Sequence, residues 1–220
     1  MQINAFIPIS FKYIRNTYLD KGDKIVLQLQ EEIIPMICER LTSIDELSSI
    51  DLYVYGQVDK LLLPKKCRVI ARDPSERVDS SYEELLSQYL AVVGCDIVLG
   101  VNPLFPFVRR ETYRKLLQDV LTQGFESSTT AIFGGIEIGN DYQKVVLESY
   151  QTPMISAQTN KTDIGVAFCS KAAGLSVEGN RLRSPLNIHP IDTLELISLR
   201  RESDARLIEL VISSGLQMGI

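Results

Sequence analysis

Short apolar runs recur along the chain, and between them the apolar residues fall at helical spacing. Ala5-Phe6-Ile7-Pro8 is the first run and predicts a strand. From Ile25 to Leu41, Val26, Leu29, Ile33, Ile34, Ile37 and Leu41 fall near one helical face. Pro35 inside that stretch has no amide to donate, so it predicts a kink or a split into two pieces. Residues 51–56 predict a strand stopped by Gly56, and residues 68–71 a shorter one after a lysine-rich turn. Residues 79–83 carry a helix N-cap followed by acidic first-turn positions, and the helix runs on through Leu85, Leu86, Tyr89, Leu90 and Val93. A strand at 96–101 and a helix from Arg110 to Gln123, ended by Gly124, come next. Residues 128–133 and 165–169 read as strands, 186–189 and 196–199 as two short ones, and 203–213 as the closing helix.

Strands separated by helices at this spacing imply a mostly parallel, mixed central sheet with helices on both faces, a three-layer α/β/α sandwich. Ile7, Val54 and Val98 belong on neighbouring strands of it. The length of 220 residues suits one large α/β domain spanning 1–220. No internal repeat interrupts the pattern. The least regular stretch, 135–161, is where an arm could leave the core.

Composition narrows the function classes. Hydrophobic residues make up 45% and charged residues 23%, ordinary globular usage. A net charge of -5 weighs against a nucleic-acid partner, which calls for a basic surplus. No apolar run is long enough for a membrane span, and the first residues lack a secretory pattern, so a cytoplasmic location is expected. Cys38, Cys67, Cys95 and Cys169 are scattered without a C-x-x-C pair, and His189 is the single histidine, with no evident partner. That excludes a clustered zinc site and weakens any Ser-His-Asp or Cys-His proposal. The cysteines read as small buried hydrophobes.

The candidate chemistry starts at the first strand, which leads straight into Lys12, Arg15 and Asn16. Open α/β sheets bind ligands at the carboxyl ends of their strands, and cations there can hold phosphates. Lys12 and Arg15 are either such contacts or a solvated basic turn. Arg109 and Arg110, at a helix start, face the same choice between an anionic substrate and plain solvation.

The order of these pieces resembles the cytidylyltransferases that make CMP-activated acidic sugars, above all CMP-acylneuraminate synthetases. That family opens with a strand ending I-P-A-R, a glycine-rich loop, S-K and then K-N. Here Ile7-Pro8 matches the strand end, Lys12 the S-K lysine, and Arg15-Asn16 the K-N pair. Residues 51–56 resemble the second strand. Arg72-Asp73-Pro74 with Asp79-Ser80-Ser81 resembles the R-P-x-x-L…D-x-A-S segment. Residues 96–107 resemble the strand ending L-Q-P-T-S-P-L, with Asn102 in place of Gln and Pro103 and Pro106 in register. Residues 191–204 resemble the terminal D-I-D-x-x-x-D segment.

The resemblance implies a nucleotide-diphospho-sugar transferase-like fold, CTP or another nucleotide as ligand, an acidic sugar, magnesium if the chain is active, and a homodimer built with an arm within 135–161. It makes Lys12 and Arg15 the catalytic cations. Ser10, Lys12, Arg15, Asn16 and Asn102 become nucleotide contacts, and Gln158 and Arg109 substrate contacts. It identifies no metal ligands. The loop glycines are missing, with Phe11 and Tyr13 in their place, Ser10 stands where the family has arginine, and Ser198 and Arg200 stand where it has the terminal acids. Asp192 and Asp204 are the nearby carboxylates. Three readings follow: a CMP-sugar synthetase, a non-catalytic homologue acting as an interaction or regulatory subunit in surface-polysaccharide synthesis, or a nucleotidyltransferase with another substrate. Each departure removes a group that handles phosphate or metal, so weak magnesium-dependent turnover is expected.

Overall fold

The computed structural model describes residues 1–12, 14, 22–56, 63–73, 80–131, 166–175, 181–192, 194–199 and 202–214. After strand β1 (Ile3–Ser10) come helix α1 (Gly22–Gln28), a π-helical turn (Leu29–Ile33) and helix α2 (Ile34–Thr42). The predicted long helix is thus split. Pro35 sits in the first turn of α2, where its missing amide is harmless, and the wider π turn before it absorbs the break. Strands β2 (Ser49–Tyr55) and β3 (Cys67–Ala71) follow. Helix α3 (Tyr82–Val92) opens on a capping box, in which Ser81 Oγ accepts from Glu84 N and Glu84 answers at Ser81 N. Then come β4 (Ile97–Val101), α4 (Arg110–Thr122), β5 (Ser127–Ala131), β6 (Ala167–Lys171), β7 (Leu186–Pro190) and α5 (Glu202–Ser213).

These strands form one seven-stranded sheet in the order β3-β2-β1-β4-β6-β5-β7. Ile7, Val54 and Val98 fall on three adjacent strands, as expected. All pairings are parallel except those of β6, which runs against both β4 and β5. One expected strand is absent: residues 196–199 form turns. Their amides bond locally or across to other segments, Ile197 N to Leu194 O at 3.3 Å and Leu199 N to Leu104 O at 3.0 Å, so no ladder forms.

The pleat sorts side chains into two cores. Ile3, Ala5, Ile7 and Ile9 of β1 face helices α1, α2, α4 and α5, together with Ile50, Leu52, Leu99 and Val101. Phe6, Tyr53, Val98 and Phe168 face the other way, against Leu86 and Tyr89 of α3. The sheet is therefore covered on both sides, giving the three layers. Gly100 lies on the α3 face, where an added Cβ would fall 1.9 Å from the Phe168 ring. Gly100→Ala should destabilise the fold by about 1–3 kcal/mol through overpacking. Urea unfolding measures this, and a variant as stable as its parent would show that the ring does not need the space.

Candidate functional site

The sheet changes direction at β1. The chain moves outward from β1 to β2 and β3 on one side, then returns to place β4 on the other. This is a topological switch point, the position at which open α/β sheets hold ligands. Pairing between β1 and β4 runs from Ile3/Ile97 to Phe6/Gly100 and stops. Beyond it β1 continues to Ser10 paired with β2 only while β4 ends at Val101, a step in the sheet edge of the kind that bounds a ligand crevice in open α/β sheets.

One lip is the turn after β1. The chain is helical at once, with Phe11 and Ile14 buried at 4% and 5% exposure. That three-residue spacing puts both on one face and anchors the turn, while Lys12 between them is exposed. Ser10 is half-buried at the end of β1. Phe11, read as filling the place of a loop glycine, is thus a core anchor. Arg15, Asn16 and Gln158 lie outside the described residues, as does the stretch 135–161.

The other lip follows β4. Asn102 accepts Leu104 N on Oδ1 at 3.1 Å and Phe105 N on its backbone oxygen at 3.1 Å, a tight Asx turn. Its Oδ1 is spent on the loop, and its Nδ2 has no partner among the described residues. The loop itself is fastened from three directions. Arg40 of α2 donates to Pro106 O and Val108 O, both at 2.7 Å. Glu195 Oε2 accepts Arg109 N at 2.9 Å and Thr112 Oγ1 at 2.7 Å, covering the start of α4 from outside its own sequence. Leu199 N closes on Leu104 O. Burial pulls the Arg40 guanidinium below its ordinary pKa, with Tyr113 and Glu195 opposing.

Arg72 follows β3, at the same carboxyl edge of the sheet but two strands from β1. Its amide donates to Val54 O at 2.8 Å, and its guanidinium lies 5.8 Å and 5.1 Å from the ring centres of Tyr53 and Tyr55. It is a buried cation over two rings of β2. The sequence showed it only as part of a motif, and its position straight after a strand was the available clue.

Arg109 forms an ion pair with Asp192, whose Oδ1 also accepts Leu194 N at 2.8 Å. The cation expected to hold substrate and the spare carboxylate therefore engage each other. Ser198 N donates to Asp204 Oδ2 at 3.2 Å. Among the described residues no group of three or more His, Cys, Asp and Glu side chains could hold a metal ion.

His189 does have a partner, contrary to expectation. Its Nε2 lies 2.6 Å from Asp119 Oδ2, which also accepts Ser128 Oγ at 2.6 Å and Asn187 Nδ2 at 2.9 Å. Asp119 is 2% exposed near the end of α4, so this knot fastens α4 onto β5 and β7 and does not open into the crevice. Asp119→Ala should cost about 1–3 kcal/mol, because buried donors lose their acceptor. A denaturant midpoint equal to that of the parent would contradict this role.

No protein-family model matches the sequence, and no curated protein matches it. Solved structures do. A 4-diphosphocytidyl-2C-methyl-D-erythritol synthase from Anaerococcus prevotii superposes with a TM-score of 0.63 at 10% identity, over 96% of this chain and 96% of that one. The chain shares that fold, the nucleotide-diphospho-sugar transferase-like one. A nucleotidyl transferase from Methanothermobacter matches with a TM-score of 0.60 at 16% identity, over 97% of this chain and 99% of the other. A CMP-2-keto-3-deoxy-manno-octonic acid synthetase complexed with CTP matches with a TM-score of 0.52 at 10% identity, over 98% and 87%. Identities this low establish the shared fold alone and leave the chemistry to the site. Among the described residues no helix is long and apolar enough to cross a membrane.

Proposed function

We propose that the chain is a cytidylyltransferase-like protein that binds CTP in the crevice between β1 and β4 and, where active, transfers CMP to an acidic sugar of the sialic-acid type. The observation that carries this reading is the switch point itself, with exposed Lys12 on one lip and the unused Nδ2 of Asn102 on the other. Lys12 and Arg15 would neutralise the triphosphate, and Asn16 after them would hydrogen-bond to it. Asn102 Nδ2 would donate to the nucleotide from a loop that Arg40 and Glu195 hold in place. Such fixed donors act by positioning and charge stabilisation, which is most of what phosphoryl-group chemistry asks of a protein.

In the reaction a sugar hydroxyl oxygen attacks the α-phosphorus, a new P–O bond forms and pyrophosphate leaves. A divalent metal would add neutralisation of phosphate charge, and no step is assigned to it. Gln158 and Arg109 belong to the sugar side of this reading. We also propose one domain over 1–220 and a homodimer through the arm at 135–161, which should bury at least about 1,000 Å² in total.

A second reading keeps the nucleotide site and drops the reaction. The Arg109–Asp192 pair favours it, since it leaves neither group disengaged for substrate or metal. Pyrophosphate release separates the two. With CTP, magnesium and a sialic acid, release above background supports transfer; CTP binding without release supports the non-catalytic homologue. Absence of any nucleotide binding contradicts both.

A further inference from the structure

Strand β3 is one edge of the sheet and pairs with β2 alone. Two bonds at its ends fix which way its main chain faces. Ile50 N donates to Lys66 O at 3.0 Å and Arg72 N donates to Val54 O at 2.8 Å, so the even-numbered residues face β2. The amides and carbonyls of Cys67, Val69 and Ala71 therefore face away from the sheet. Cys67 N donates to Pro64 O at 2.9 Å, and the other outward groups have no hydrogen-bond partner among the described residues.

Edge strands are commonly guarded by charge, proline or a covering segment. Arg68 is the one charged residue of β3, and it is held in an ion pair by Asp51. Val69 is 46% exposed, and no proline interrupts the strand. The opposite edge, β7, ends on Pro190, which has no amide to offer.

We propose that β3 is a self-association surface, pairing antiparallel with β3 of a second copy about a two-fold axis at Val69. The strand's match to itself selects this occupant. On that axis Val69 lies opposite the partner's Val69, and Cys67 lies opposite the partner's Ala71. Each Val69 amide donates to the partner's Val69 carbonyl, and each Ala71 amide to the partner's Cys67 carbonyl. The exposed valines meet with smaller residues on either side. Arg68 falls opposite the partner's Ile70, so no like charges face each other. At both ends exposed Lys65 comes towards the partner's exposed Asp73, a charge match that the two-fold axis repeats. Sliding one strand by two residues, the smallest slide that keeps the outward groups facing, separates the valines and breaks that match. A five-residue strand buries less than the roughly 1,000 Å² of a stable interface, so the pairing is weak and depends on concentration. It uses neither the crevice nor the segment 135–161, and it stands independently of the nucleotide reading.

The test is sedimentation of the full chain from low micromolar to millimolar concentration. The expected result is a mass that rises with concentration, from whatever species is present in dilute solution. Over the same range exchange slows at the Val69 and Ala71 amides, while Arg68 and Ile70, already bonded to β2, do not change. Val69→Lys and Val69→Glu, at an exposed position, each abolish the rise, because like charges meet on the axis. Mixed in equal amounts the two variants recover it, since this register alone sets residue 69 opposite itself. A constant mass up to millimolar concentration, a rise that survives both variants, or a mixture that stays dissociated would each overturn the proposal. So would Val69 and Ala71 amides already protected in dilute solution, which would mean that something other than a second copy covers the edge.

Discussion

Arg68→Ala is expected to destabilise the protein by about 3 kcal/mol, far more than the 1 kcal/mol or less of an ordinary surface ion pair. Arg68 looks like a surface residue, since 49% of its side chain is exposed, but its partner Asp51 is wholly buried. The guanidinium grips the carboxylate twice, Nε to Oδ1 at 2.8 Å and a terminal nitrogen to Oδ2 at 2.7 Å. Tyr89 Oη donates to the same Oδ2 at 2.7 Å and Asn4 Nδ2 at 3.3 Å. Those hydrogen bonds hold the Arg68 guanidinium above its ordinary pKa, and burial beside Asp51 drives the Tyr89 phenol up.

Removing Arg68 leaves a buried carboxylate without a counter-charge, and the burial of the partner, not the exposure of the arginine, sets the cost. Adding Asp51→Asn to that variant deletes the stranded charge while keeping an acceptor for Tyr89, so the double variant should regain part of the loss. Chemical unfolding of the parent, the single and the double variant measures both effects. A single-variant loss under about 1 kcal/mol would place Arg68 among the weak surface pairs.

Much of the architecture was legible because strand runs and helical spacing are local properties. The β1, β2 and β4 runs, the Ser81 cap and the split at Pro35 all follow from residues within a few positions of one another. The direction of β6 was not legible, because an apolar run reads the same in a parallel or an antiparallel strand. The segment 196–199 misled for a similar reason: Ile197, Ser198 and Leu199 are buried, yet their amides bond to Leu194, Asp204 and Leu104 and not to a ladder. Alternation predicts burial, and burial alone does not make a strand.

At the candidate site, the end of β1, Lys12 and Asn102 could be placed along the fold from sequence because they are contiguous with strands. The partners that shape it come from afar. Arg40 reaches Pro106 and Val108, Glu195 reaches Arg109, and Asp192 pairs with Arg109. His189 meets Asp119 in the same way, across a sequence distance that no local pattern encodes.

The central claim is that the β1/β4 crevice binds CTP through the basic turn after β1. Each charge-assisted contact to phosphate contributes about 1.5–3 kcal/mol, and about 1.4 kcal/mol is tenfold in affinity. Lys12 is exposed, so the low end applies to it. Calorimetric titration of CTP into the parent and into a Lys12→Ala, Arg15→Ala double variant is the direct measurement. The account predicts binding to the parent and a Kd raised about a hundredfold in a variant whose unfolding midpoint is unchanged. CTP affinity that is the same in both proteins would contradict it.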